Sequence, residues 1–254
     1  MADDPAILEP DGESESDRNA VERVIRRIKA DLLAGRLAPG DKLPGERELA
    51  QIIGVSRASL REGLRVLAHL GLIATRHGLG SVIAPPDVTI LRDVTTLTLG
   101  RMADAIDETM EVRIAIECQA IRLACVRASA SDLRIIEARL SDLVETLDDP
   151  HAGGKADHAF HTAVVEASHC RPLIGLYEAT SDLLSTLHER RREETVAIDG
   201  IRNYLVKAHR EVYLAVLNQD PEQADRQLRE HFRIGEAIRR QGQASRIEAK
   251  FASA

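Results

Sequence analysis

Tryptophan is absent from the 254 residues, and three Phe with three Tyr bring the aromatics to only 2%. Any interior built from this chain is therefore aliphatic and alanine-rich, a composition that leans helical. Cysteine is also scarce. Cys118, Cys125 and Cys170 share no CxxC spacing and no signal-like apolar N-terminus precedes them, so they are expected to be small core hydrophobes in a reducing, cytoplasmic setting. No stretch approaches the roughly 18 apolar residues that span a bilayer, which excludes membrane insertion.

What is present is unevenly distributed. The formal charge of −7 is a poor guide to partners until it is divided along the chain. Residues 1–17 hold seven acidic groups and no basic ones; residues 18–84 hold twelve Lys/Arg against six Asp/Glu; the remainder holds twenty-two against twenty-eight. A basic segment beside a mildly acidic remainder looks like a nucleic-acid module joined to a unit with another task. The length fits two such units.

Residues 1–16 are acidic, carry Pro5, Pro10 and Gly12, and lack apolar periodicity, so they read as a disordered tail. From Asp17 as N-cap, Val21, Val24, Ile25, Ile28 and Leu32 recur at helical spacing up to Gly35. A short helix follows from Glu46 to Ile53, closed by Gly54, and a third starts from Ser56 and runs to about Leu70 with Leu60, Leu64 and Leu67 inward. Residues 72–76 and 81–84, separated by His77-Gly-Leu-Gly80, read as a β-hairpin. Three helices and a hairpin over 17–84 make a winged helix-turn-helix, and Pro85-Pro86 mark its end.

Beyond the prolines no strand pattern is visible. Residues 85–103 form a linker with one short helix over 88–100. Helices are expected at 104–128, 131–148, 155–169, 172–191, 200–219 and 221–241, a bundle of six or seven, followed by a tail at 242–254. The whole is mainly α.

Arg57, Arg61 and Arg65 are spaced four apart and align along one face of the third helix. Arg57 and Arg61 are placed to read base edges in a major groove, where bidentate guanidinium to guanine is the commonest specific contact. Arg65 is expected to face phosphate or to pair with Glu62 or Glu46. Ser56 and Ser59 can bond phosphate, and Gly78 and Gly80 let the hairpin tip approach a groove closely.

These residues resemble the GntR family of winged-helix transcription regulators. The resemblance is carried by 43–50 (LPGERELA), 54–64 (GVSRASLREGL) and 71–82 (GLIATRHGLGSV). It implies DNA contacts from Arg47, Arg57 and Arg61 and entry of His77-Gly78 into the minor groove. The family usually has Ser where Gly45 stands, which weakens the helix cap beside Arg47.

In the second half, Asp157 and His161 lie four apart on one helix. His209 interrupts the apolar stripe Ile201, Leu205, Val212, Val216, and His231 sits among Ala224, Leu228 and Ile238. One inward Asp and three inward His suit a borderline divalent ion, with ligand distances of about 2.0–2.2 Å for zinc; nickel and manganese remain open. His151, His158, His169 and His188 fall outside this pattern and read as surface or helix-end residues.

Residues 157–161 (DHAFH), 208–216 and 228–231 (LREH) are similar to the FCD ligand-binding domain of FadR-like GntR regulators. That resemblance implies a metal on Asp157, His161, His209 and His231, and an effector carboxylate on Arg113. The other reading of Arg113 is an i,i+4 pair with Glu117. Asn203 is a further lining candidate.

The expected function is a ligand-responsive DNA-binding regulator, a repressor and not an enzyme. It would bind a palindromic operator as a homodimer, since two-fold protein symmetry matches paired half-sites, and would be released by a small organic acid or fatty-acyl effector. Two alternatives stay open: a metal that is purely structural, and a metalloenzyme in which open coordination positions activate water.

Overall fold

A computed structural model describes residues 15–76, 80–102 and 104–252, with side chains from 19–74, 80–102 and 104–240. The tail at 1–14 and the wing tip with His77 and Gly78 lie outside the described residues. The chain divides into two compact units between Ile90 and Leu91.

The first unit contains α1 (Glu15–Leu33), α2 (Glu46–Ile53), α3 (Arg57–His69) and the antiparallel strands β1 (Ile73–Arg76) and β2 (Gly80–Ile83). Ile73 pairs with Ile83 and Arg76 with Gly80, close to the hairpin expected from sequence. Gly54 takes φ +75° after α2, the left-handed conformation that turns the chain into α3. Val24, Ile28, Leu49, Leu60, Leu67, Ile73 and Ile83 are buried together as the core. Gly63 permits the close crossing of α1 and α3, because a Cβ there would lie 2.7 Å from Val24 Cβ.

α4 (Thr89–Leu99) begins at the division, and the second unit contains the rest of it with α5 (Ala105–Arg127), α6 (Ala130–Thr146), α7 (Pro150–Glu166), α8 (Arg171–Ala179), α9 (Ser181–Thr195), α10 (Ile201–Leu217) and α11 (Pro221–Ala252). Its core is aliphatic, with Phe160 and Tyr177 among its largest fully buried side chains. Cys118 and Cys125 are buried within it, and Cys170 is half-buried.

Four boundaries differ from the sequence expectation. α1 already begins at Glu15, so Asp17 lies inside it and is not its N-cap, and residues 15–16 belong to the helix and not to the tail. α7 begins at Pro150 and not near 155, because Asp149 caps it by accepting from His151 and Ala152 N–H and proline is well suited to the first helical position. Gly153 and Gly154 therefore lie inside the helix, where a Cβ on Gly154 would sit 2.7 Å from Glu189 Cα. The span 172–191 is two helices broken at Thr180, whose N–H and Oγ1 both donate to the Tyr177 carbonyl, at 3.1 and 2.9 Å. Finally, α11 runs past Gly242 to Ala252, a single glycine being a cost of only about 1 kcal/mol in a helix.

Candidate metal centre and nucleic-acid interface

Ser56 starts α3 by accepting from Ser59 N–H at 3.1 Å, and Arg23 of α1 donates to the Gly54 carbonyl at 3.1 Å, fixing the turn between α2 and α3. With Leu60, Leu64 and Leu67 buried, Arg57, Arg61 and Arg65 are left on the exposed face. Arg47 is exposed in the first turn of α2. Neither Arg47 nor Arg57 has an ion-pair partner among the described residues. Arg61 Nε donates to Glu46 Oε2 at 2.7 Å, and Arg65 reaches Glu62 at 3.2 Å. Ser59 departs from its expected phosphate role: it is buried and its hydroxyl is engaged by Ser56 Oγ at 2.7 Å. Gly45, at the cap of α2, makes no side-chain bond, which leaves the first N–H groups of that helix free beside Arg47.

In the second unit, His161 of α7, His209 of α10 and His231 of α11 each bring a ring nitrogen within 4.8 Å of the others. Asp157, one turn before His161, places Oδ1 3.2 Å from His161 Nε2 and 3.3 Å from His209 Nε2. All four residues singled out from spacing thus converge. The surrounding atoms orient them. His209 Nδ1 is 2.8 Å from the Leu205 carbonyl, which can only accept, so Nε2 carries the lone pair toward the cluster. His161 Nδ1 lies 2.7 Å from Glu117 Oε2, although its N–H is not aligned on that oxygen. His161 Nε2 and His231 Nδ1 are buried without a hydrogen-bonded partner. Orphaned ring nitrogens in a set of three imidazoles and one carboxylate fit a borderline divalent cation.

The electrostatics agree with that fit for Asp157, His209 and His231. Burial would raise the Asp157 and Glu117 carboxyls. The neighbouring His188 holds the first well below the carboxylate range, and Arg113 with His161 does so for the second. Burial pushes His209 and His231 down, toward the neutral form that a metal ligand needs. On His161, burial and Arg113 oppose protonation but Glu117 and Asp157 outweigh them, and its pKa is raised.

Arg113 is 3% exposed and makes the intrahelical pair, Nε to Glu117 Oε1 at 2.9 Å. The pair does not use up the guanidinium: Nη2 has no partner, and the group lies 4.5 Å above the Phe232 ring. Asn203 is exposed and does not line the cavity. Six residues before His209, it sits about 240° around the helix from it.

His188 corrects the sequence reading outright. It is 2% exposed on α9 and its Nδ1 is 3.2 Å from Asp157 Oδ1. Arg192, one turn later, donates to Asp157 Oδ2 at 3.0 Å, and Tyr177 donates to Glu117 Oε1 at 2.9 Å. The signal for His188 was present, since Leu184, His188, Arg192 and Thr195 continue one inward stripe. Arg113, Asp157, His188, Arg192, Thr195 and His231 help to line a cavity of about 40 Å³. A larger open cleft of about 610 Å³ shares Phe232 and Arg191 with it but holds none of the candidate ligands.

Residues 20–83 match the family model for bacterial regulatory proteins of the gntR family, and residues 108–234 match the FCD domain. The chain is 37% identical over 163 residues to the uncharacterized HTH-type transcriptional regulator Rv0494 of Mycobacterium tuberculosis, covering 63% of this chain and 67% of that protein. It is 31% identical over 226 residues to the putative L-lactate dehydrogenase operon regulatory protein of Escherichia coli, covering 84% of each. A GntR structure from Streptococcus agalactiae has the same fold, with a TM-score of 0.61 at 21% identity over 87% of this chain and 99% of that one. No helix among the described residues is long and apolar enough to cross a membrane.

Proposed function

Because the chain belongs to the GntR family of bacterial regulatory proteins and carries an FCD domain, we propose that it is a repressor whose grip on a palindromic operator is released by a small carboxylate. It is a DNA-binding transcription regulator, as its family and relatives are, and not an enzyme. In our reading it acts as a homodimer, each α3 presenting Arg57 and Arg61 to one half-site with Arg47 and Ser56 beside them and Arg65 toward phosphate. The effector shifts the population between two dimer arrangements by binding one of them more tightly.

One observation carries the sensor reading: Arg113 Nη2, a buried cationic donor with no partner, belongs to a residue lining the same cavity as Asp157 and His231. Asp157, His161, His209 and His231 would hold a divalent ion, zinc by preference, and a bound ion with open coordination positions supplies a Lewis-acidic second anchor for a carboxylate. A cavity of about 40 Å³ has room for about three waters, which favours a short acid over a fatty-acyl chain. The Escherichia coli relative is named for an L-lactate dehydrogenase operon, and lactate is an acid of that size.

The test combines two measurements. Elemental analysis with native mass spectrometry of protein purified without chelator is expected to find about one metal per chain. Titration of short acids against operator-bound protein is expected to release DNA, and Arg113→Ala to abolish release while metal content and melting temperature hold. If no acid alters DNA affinity, the metal is a structural clamp.

A further inference from the structure

The arginine face of the first unit is only partly neutralised within the described fold. Glu46 holds Arg61 at 2.7 Å and Glu62 holds Arg65 at 3.2 Å, but Arg47 and Arg57 are exposed and have no ion-pair partner among the described residues. A surplus of the opposite sign precedes α1: residues 1–14 carry Asp3, Asp4, Glu9, Asp11 and Glu13 and no Lys or Arg.

The fold roots that segment beside α3. α1 begins at Glu15 and crosses α3 where Val21 O and Val24 Cβ lie 3.4 and 2.7 Å from the position of a Cβ on Gly63. Arg23 donates to the Gly54 carbonyl, in the turn that leads into Ser56 and Arg57. From Glu15 to Val21 is about 9 Å of helix, and a helix with its side chains is about 10–12 Å across. Fourteen residues can extend to about 46 Å, long enough to pass around α3 to its arginine face. The charges also match in spacing. Arg57, Arg61 and Arg65 stand about 6 Å apart along the axis of α3. Carboxylates two residues apart, as those of Glu9, Asp11 and Glu13 are, stand about 7 Å apart on one side of an extended chain.

We propose that residues 1–14 dock on the arginine face of α3 when no DNA is bound, through Glu9, Asp11 and Glu13, and so compete with the operator. The inference rests on the reading of α3 as the DNA face and needs neither metal nor effector. DNA must displace the docked segment, and the carboxylates thus freed take back counterions, which offsets part of the counterion release that drives binding. Exposed ion pairs are weak singly, so the segment lowers affinity for every duplex without abolishing it, most of all at low salt.

Fluorescence anisotropy compares the full chain, a chain shortened to begin at Glu15, and a neutralised chain carrying Asp3→Asn, Asp4→Asn, Glu9→Gln, Asp11→Asn and Glu13→Gln together. Both variants are expected to bind operator and unrelated duplexes about 5-fold more tightly at about 50 mM salt, the product of two or three exposed pairs, and less than about 2-fold more tightly at about 300 mM. The neutralised chain decides should shortening unseat α1. Without DNA, amide spectra of the full and neutralised chains are expected to differ around Arg47, Arg57 and Arg61.

Equal affinity of the full and neutralised chains at low salt overturns the proposal. So does a gain on shortening that neutralisation does not reproduce, which would make bulk and not charge the cause. A gain without amide changes on α3 overturns it as well, because the charges then repel DNA from a distance and do not dock. If Arg57→Ala with Arg61→Ala leaves DNA binding unaffected, the DNA-face reading fails first and the proposal with it.

Discussion

Glu117 Oε2 and His161 Nδ1 lie 2.7 Å apart, both side chains 1% exposed, and the other Glu117 oxygen is shared by Arg113 and Tyr177. One carboxylate on α5 thus lies against a candidate metal ligand on α7 and neutralises the candidate effector arginine. Partners of this kind typically contribute 10–100-fold to metal affinity. Glu117→Gln is expected to weaken zinc binding by about that factor in a chelator competition, while Asp157→Ala abolishes it. Glu117→Ala, which strands a buried guanidinium, is expected to destabilise the protein by about 3–5 kcal/mol in denaturant unfolding. Unchanged zinc affinity in a folded Glu117→Gln would remove its orienting role.

On the DNA face, Arg57 and Arg65 are expected to behave differently. Arg57→Ala should cost about 1–3 kcal/mol on a selected operator and relax preference at one base position. Arg65→Ala should weaken all sequences alike and lower the salt slope by about 1. Fluorescence anisotropy over a salt series on matched and mismatched duplexes separates the two. Glu46→Gln, which loosens the 2.7 Å hold on Arg61, is expected to strengthen non-specific binding.

Gly63 and Gly154 sit where helices touch. Alanine at either would bring a Cβ within 2.7 Å of a neighbour, Val24 Cβ in one case and Glu189 Cα in the other. Overpacking of this sort costs about 1–3 kcal/mol. The denaturant midpoint should fall with the slope unchanged, and Gly154→Ala should cost more because its neighbour is backbone.

Glu236 gives the second unit an acid-sensitive contact. Burial raises its carboxyl, but hydrogen bonds from Arg239, Arg240 and Arg191 bring it down to about 2. The unfolded value is about 4.3. A depressed carboxylate stabilises the fold above its unfolded pKa, and the contribution fades as pH falls from about 4.3 toward about 2. Glu236→Gln is expected to lower stability at neutral pH and to flatten the acid limb of the stability curve. An acid limb identical to wild type would show that the three arginines do not act through this carboxylate.

Legibility from sequence followed the range of the interaction. Ser56 capping α3, Gly54 closing α2 and the presence of the hairpin are local consequences of a few neighbouring residues, and each could be read directly. His209 and His231 were also readable, because a polar residue in an apolar stripe must point inward. The same rule applied to α9 would have found His188. It was obscured because that stripe changes from Leu184 and Leu187 to His188, Arg192 and Thr195, which in isolation resembles a solvated face. The helix start expected at 155 fell short of Pro150 for the opposite reason, because Gly153 and Gly154 precede it. Glycine pairs usually break helices, and only the approach of α9 explains a pair inside one.

By itself the sequence determined the two-unit plan, the basic reader with its arginine face, and the four residues of a possible metal set, since periodicity, capping and charge depend on near neighbours. The tertiary structure alone decided which charges are shared inside the second unit: Glu117 with Arg113, Tyr177 and His161, and Asp157 with His188 and Arg192. Apart from the Glu117–Arg113 pair within α5, those partners lie on different helices. In a low-dielectric interior a buried charge must find a partner wherever packing brings one, and chain order does not say where that is.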